Sequence, residues 1–235
     1  MIYNNTGSAE GLKNAWGLSI WIDSPDGVTL FDTGGKPEIL EENMKFLGLD
    51  ASKVNQVILS HDHWDHKGGL EMIFGKLEKK TKLYVPGNVE EEYASALPAA
   101  VVTGVKEPVE INNGIWSTGS LFTDLTGEGL QEQSVILAKG ENMMILTGCS
   151  HPGIVDITNR AKKIHPDKNI LLVAGGFHLL RTPKDEVEMI SDELKKLGVE
   201  RIAPSHCTGD RSIDVFRERW GDSFVDINLG DKASI

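Results

Sequence analysis

The sequence is short of cysteine, of positive charge and of long apolar runs. Two cysteines among 235 residues, Cys149 and Cys207, exclude a disulfide framework. So small a thiol count fits a cytoplasmic location, which is the expectation here. Lys and Arg number 24 against 35 Asp and Glu, for a net charge of −11. That balance argues against nucleic acid as a partner, because a phosphate backbone needs a basic patch. A locally basic pocket could still take a small anion, so the expected partner is a small molecule, anionic ones included. No run reaches 18 apolar residues, so no membrane span is expected. The first residues, "MIYNNTGSAEGLKNAWG", lack a basic segment followed by an apolar one, and no signal peptide is read there. Oligomeric state is left open.

What is present is a globular composition, 40% hydrophobic and 25% charged. No Pro/Gly/Ser-rich linker and no repeat divides the chain, so residues 1–235 are expected to form one domain. The front reads as β: "GLSIWID" and "GVTLFDT" flank the turn "SPDG". "KPEILEENMKFLG" has helical spacing, with Ile39, Leu40, Met44 and Leu47 on one side. "VNQVILS" and "TKLYVP" predict strands around a short helix in "GGLEMIFGKL". Residues 87–130 hold a helix around "VEEEYASAL" and then Gly-, Thr- and Asn-rich pieces. The rear alternates: strands "QSVILAK" and "NMMILTG", helix "GIVDITNRAKKI", strand "NILLVAGG", helix "PKDEVEMISDELKKLG", strand "VERIAPS". A short helix around "IDVFRERW" and a final strand "SFVDINL" close it. Sheets with helices on their outer faces, an α/β layered fold, fit this order.

The seven histidines are unevenly spread. "ILSHDHWDHKGG" puts His61, His63 and His66, with Asp62 and Asp65, into six residues after an apolar strand. His151, His178 and His206 also follow strand runs, and strand ends of helix-covered sheets converge on one rim. Imidazole and carboxylate ligate zinc or iron, and this crowding is what a metal site requires. His61 and His63 could reach one ion. Asp65 and His66 would serve a second, and two ions about 3.5–4 Å apart can share a hydroxide. Further ligands must then come from His151, His178 and His206. His165, in "KKIHPDKN", reads as a helix-end or surface residue.

"SHDHWDH" matches the HxHxDH signature of the metallo-β-lactamase fold superfamily, and "LFDTGG" resembles its upstream Asp-Thr-Gly turn. "NAWGLSIWI", "LTGCSHPGIV", "GGFHL" and "SHCTG" resemble one branch, which includes the archaeal dihydropterin–ribofuranosylaminobenzene phosphate synthases. The resemblance implies a four-layer αββα sandwich with a dinuclear site. It implies His61, His63 and His151 around one metal. Asp65, His66 and His206 would hold the other, with His178 the competitor of His206 or a substrate-facing group. Two divalent ions are implied, zinc first, manganese or iron as alternatives.

The activity implied is a metal-dependent hydrolase: a dinuclear metal-bound hydroxide attacks an ester, lactone or phosphoester, with Asp65 and His178 as catalytic residues. The alternatives are a dihydropterin–arylamine transferase with a diphosphate leaving group, and a di-iron redox or non-catalytic metal-binding protein. Residues 87–130 are a candidate lid or insertion. One departure stands out, since many members carry a metal-bridging aspartate where this chain has Cys149. Asp32 reads equally as an orienting group or a plain turn former. Glu132, ahead of "QSVILAK", could face the site but reads first as a solvated glutamate. Gly68 and Gly69 are expected to let the following helix approach the metal, and Trp64 to wall the pocket or pack.

Overall fold

The structure is a computed structural model that describes residues 1–7, 9–77, 80–123 and 129–235. Its internal packing forms two compact units, Met1–Lys106 with Asn228–Lys232, and Glu107–Ile227 with Ala233–Ile235.

In the first unit, β1 (Ile20–Ser24) and β2 (Gly27–Phe31) pair antiparallel across the Pro25-Asp26 turn. Helix α1 (Pro37–Phe46) follows, with proline in its first turn, where its missing N–H costs nothing. Next come β3 (Val54–Ile58), α2 (Trp64–Lys67), α3 (Leu70–Gly75), β4 (Thr81–Pro86), α4 (Glu90–Ala96) and β5 (Ala100–Val105). The sheet order is β1-β2-β3-β4-β5, and the β2/β3, β3/β4 and β4/β5 pairs are parallel. Parallel neighbours require crossovers, and α1, α2–α3 and α4 provide them. Leu40 and Met44 of α1, and Ile73 and Phe74 of α3, pack on Leu30, Val57 and Leu83 of the strands. Leu83 is fully buried, so Leu83→Ala is expected to cost about 2–5 kcal/mol.

The second unit begins with β6 (Val109–Asn112), β7 (Ile115–Ser117), β8 (Leu121–Thr123) and β9 (Leu130–Glu132). It continues with β10 (Val135–Lys139), β11 (Asn142–Thr147), α5 (Ile154–Ile164), β12 (Asn169–Gly176), α6 (Lys184–Lys196), β13 (Ile202–Ser205) and α7 (Asp210–Trp220). Its sheet runs β13-β12-β11-β10-β7-β6, parallel through β11, β12 and β13 and antiparallel beyond. The β8–β9 ladder stands apart. Ile157 and Ala161 of α5, Leu194 of α6 and Phe216 of α7 pack on Ile145 and Val173.

Two expectations need correction. The segment 87–130, which by sequence shows one helix and then Gly-, Thr- and Asn-rich pieces, also supplies β5 and β6–β8, although residues 124–128 lie outside the described part. Gly, Thr and Asn interrupt the apolar alternation there, and sheet pairing overrides that local signal. The final strand "SFVDINL" does not form. Phe224 makes an isolated bridge to Ile202, Val225 N–H donates to the Ile202 carbonyl, and the chain then turns at Asn228, held by Asp231. Gly68 and Gly69 do permit a close approach, but to the chain itself. A Cβ on either would stand 2.3 Å from the Gly35 carbonyl oxygen or 2.6 Å from that of Thr33.

Candidate metal centre

The chemistry-bearing residues of each unit follow the carboxyl ends of its strands. In the first unit Asp32 follows β2, Ser60 and His61 follow β3, and the loop runs through His63 into α2, which carries Asp65 and His66. In the second, Cys149, Ser150 and His151 follow β11, His178 follows β12, and His206 follows β13. Among the described residues, the non-glycines with positive φ are Asp32 (58°), Ser150 (63°), His178 (54°) and His206 (53°). Each left-handed residue costs on the order of 1 kcal/mol. All four lie at these strand ends, so strain is concentrated where the donors are.

The first unit builds a hydrogen-bond chain around Asp32. The buried carboxylate accepts from Ser60 N–H (2.7 Å), from Ser60 Oγ (2.7 Å) and from His66 Nδ1 (2.7 Å). Ser60 Oγ spends its proton on Asp32, so at 2.8 Å it accepts from His61 Nδ1. Both imidazoles are therefore Nδ1–H tautomers, and ligation falls to Nε2 in each. His61 Nε2 stands 3.1 Å from His63 Nδ1. Two nitrogens of one tetrahedral zinc at 2.0–2.1 Å would be separated by about 3.4 Å, so this pair has chelating spacing. His66 Nε2 lies 3.7 Å from Asp65 Oδ2, which gives the neighbours Asp65 and His66 a common aim. Burial pushes the Asp32 carboxyl above its usual range, against the pull of His66 and Ser60.

The second unit repeats the device. Glu132, at the end of β9, is buried rather than solvated. Its Oε1 accepts from Cys149 N–H (2.9 Å) and Ser150 N–H (2.8 Å), and its Oε2 from His151 N–H (2.8 Å) and His151 Nδ1 (2.8 Å). Burial pushes this carboxyl up, but His151 and the backbone donors outweigh it and hold Glu132 below the usual range. His151 is thus also an Nδ1–H tautomer. Donor atoms of Cys149, His151 and His178 lie within 4.8 Å of one another, as do those of Cys149, His206 and Cys207. Cys149 belongs to both sets. The exposed His178 ring lies 4.4 Å, centroid to centroid, from that of His151. The backbone N–H of His178 donates to Cys207 Sγ at 3.3 Å. Burial raises the Cys207 thiol, yet Cys149, His178 and His206 together hold it well below the ordinary thiol range.

These donor sets fit metal ions. Imidazoles locked by carboxylates so that ligation falls to Nε2 are the usual company of zinc and its neighbours. His165 caps α5 and packs edge-on against Trp116, as a helix-end residue should. Trp64 is 59% exposed and covers Gly35. Sequence reasoning missed a second clamp. Asp62, between His61 and His63, accepts from Lys67 Nζ (2.6 Å) and from the Tyr93 hydroxyl on α4. Burial and Asp62 push the Tyr93 pKa upward, which keeps the phenol a donor.

The sequence profile of the metallo-beta-lactamase superfamily matches residues 17–206, from before β1 to the residue after β13. The chain belongs to the metallo-β-lactamase superfamily. A 7,8-dihydropterin-6-methyl-4-(beta-D-ribofuranosyl)-aminobenzene-5'-phosphate synthase of Methanocaldococcus jannaschii is 27% identical, over 91% of this chain and 88% of that protein. This superfamily member also resembles Tm1679, a solved metal-dependent hydrolase of the beta-lactamase superfamily, with a TM-score of 0.83 and 26% identity. That match covers 100% of this chain and 97% of the other. An isothiocyanate hydrolase from Delia radicum gut bacteria has a TM-score of 0.61 at 13% identity, over 94% of this chain and 97% of that one, and shows the fold alone. The expected architecture therefore holds: two sheets flanked by helices, the fold of metal-dependent hydrolases, carrying candidate metal-ligand clusters. Among the described residues, no helix is long and apolar enough to cross a membrane.

Proposed function

We propose that the chain is a metal-dependent hydrolase of an ester, lactone or phosphoester, with its two units acting as one catalytic domain. The observation that carries this reading is the pair of buried carboxylates, Asp32 and Glu132, each gripping the Nδ1 of a candidate ligand. Following the family pattern, His61, His63 and His151 hold one divalent ion, and Asp65, His66 and His206 hold the other. Zinc suits these nitrogen-rich donors, with manganese or iron as alternatives. When bound, such ions lower the pKa of a water toward about 7 and polarise the bond under attack.

The protein's own groups do the rest. Asp32, Ser60 and Glu132 fix the ring orientation and tautomer of His61, His66 and His151. Asp65, buried in the first turn of α2, accepts the proton released by the attacking water. His178, exposed at the end of β12, donates to the oxygen on which charge develops. By the family pattern, Cys149 occupies the position where many members carry an aspartate, and its thiolate would be a further soft donor there. Two buried thiols without a disulfide support a cytoplasmic location. The test is hydrolysis of an activated ester, a lactone and a phosphodiester before and after chelation. Activity lost to chelator and restored by zinc or manganese supports the reading, and activity indifferent to both overturns it.

The synthase of M. jannaschii favours a second reading, a transferase on a dihydropterin and an arylamine. Residues 87–130 hold only Lys106 as a basic residue, thin support for a diphosphate pocket, so this reading ranks second. Incubating a pterin diphosphate with an arylamine separates the two, since a coupled product belongs to the transferase alone.

A further inference from the structure

A cleft of about 510 Å³ opens in the second unit, between the loop that follows His178, the start of α6 and one side of α7 from Arg211 to Glu218. Its walls include Arg181, Lys184 and Arg211, together with Asp214 and Glu218. The acids have partners: Asp214 pairs with Arg217 at 2.5 Å, and Glu218 with Lys184 at 3.7 Å. Arg181 and Arg211 have no ion-pair partner among the described residues. In a chain of net charge −11, two unanswered guanidinium groups on one cleft are a local reversal of sign.

Their placement is tied to the candidate centre. Arg181 lies three residues after His178, and Arg211 five after His206. The two loops are bolted together at several points. Phe177 N–H donates to Thr208 Oγ1 at 3.0 Å, and Ser212 Oγ donates to the Leu179 carbonyl at 2.8 Å. Gly209, at φ +79°, approaches so closely that a Cβ there would stand 2.9 Å from the Leu180 Cα. The frame that presents His178 and His206 therefore also presents the two arginines.

We propose that this cleft is a subsite for an oxyanion carried by the substrate, a phosphate or a carboxylate group, held by Arg181 and Arg211 while the scissile bond lies at the histidines. This assignment rests on the hydrolase reading and narrows it to anionic substrates. Guanidinium suits the role, because its planar fork meets two oxygens of such a group at once.

The test is calorimetric titration of the metal-loaded protein with inorganic phosphate and, separately, with acetate, repeated after chelation. Wild type and the Arg181→Ala/Arg211→Ala double variant are compared. Both side chains are exposed, so the fold should survive, and an unchanged thermal midpoint verifies that. The Arg181→Lys/Arg211→Lys double variant keeps the charge but loses the fork. The expected result is saturable binding that survives chelation and weakens at least tenfold in the alanine variant, with the lysine variant between. The tighter of the two anions names the group. Absence of saturable binding, binding that chelation abolishes, or equal binding by wild type and the alanine variant overturns the proposal. Because binding is read without turnover, failure of this subsite and failure of the hydrolase reading show separately.

Discussion

The two units solve one problem with different carboxylates. Each must hold an imidazole in a single tautomer at a strand end, and each buries an acid against Nδ1. Asp32 is answered by one backbone N–H and one hydroxyl besides its histidine, whereas Glu132 is answered by three backbone N–H groups. Burial raises both acids, but His151 and then the backbone donors outweigh it at Glu132, whereas at Asp32 burial outweighs His66 and Ser60. The contrast teaches that the same second-hand grip on a ligand can be built as a rigid backbone nest or as a side-chain relay.

Amide substitutions should break the symmetry. In Glu132→Gln, either orientation of the amide points its NH2 at two donors. In Asp32→Asn, the amide can face the lone Ser60 N–H and keep its oxygen toward Ser60 Oγ and His66. We expect Glu132→Gln to lower metal affinity about 100-fold and Asp32→Asn about 10-fold, the two ends of the range for such supporting groups. Metal titration with a competing chelator reads both, and equal losses would erase the distinction.

Titration of the metal-free protein sharpens it. The folded pKa of Glu132 lies below its unfolded value, so its stabilising contribution is present above the ordinary carboxylate range and is lost as pH falls through the folded pKa. Asp32 has the opposite sign: its contribution is present below the unfolded pKa and is lost as pH rises through the raised folded value. Carbon NMR of the two carboxyls should show Glu132 ionised at a pH where Asp32 is still protonated, and a reversed order refutes the assignment.

Smaller effects should come from the clamp on Asp62. Tyr93→Phe removes one donor from a part-buried carboxylate and should cost about 1 kcal/mol in denaturant unfolding, with metal content retained. His165→Ala should leave metal content untouched, because His165 caps α5 and packs on Trp116 rather than joining a donor set. Metal loss in that variant would mean that the map of ligands is wrong.

The legible part of the molecule was whatever a single strand and its following loop contain. His61, His63, Asp65 and His66 sit within one such loop, so their spacing showed in the chain. His151, His178 and His206 were visible as histidines after apolar runs, since strand ends are where side chains of distant segments converge. The sequence alone favours a solvated Glu132 over one facing the site, because three of its four partners are N–H groups of residues 149–151, and backbone donors leave no mark in a sequence. The left-handed backbone at Asp32, Ser150, His178 and His206 was equally invisible, as no glycine signals it. Strands β5–β9 escaped because their Gly-, Thr- and Asn-containing sequences owe their form to pairing rather than to alternation. Arg181 and Arg211 carry no motif at all, and only the fold brings them to one cleft.

The most direct test of the central claim is metal stoichiometry measured together with activity on one preparation. Purified protein is stripped with chelator, dialysed, and titrated with zinc or manganese while metal content and ester, lactone and phosphodiester hydrolysis are followed. The account predicts two ions bound per chain, with activity absent in the stripped protein and restored as the sites fill. Tight binding of no ion, or hydrolysis undiminished in the stripped protein, would contradict it.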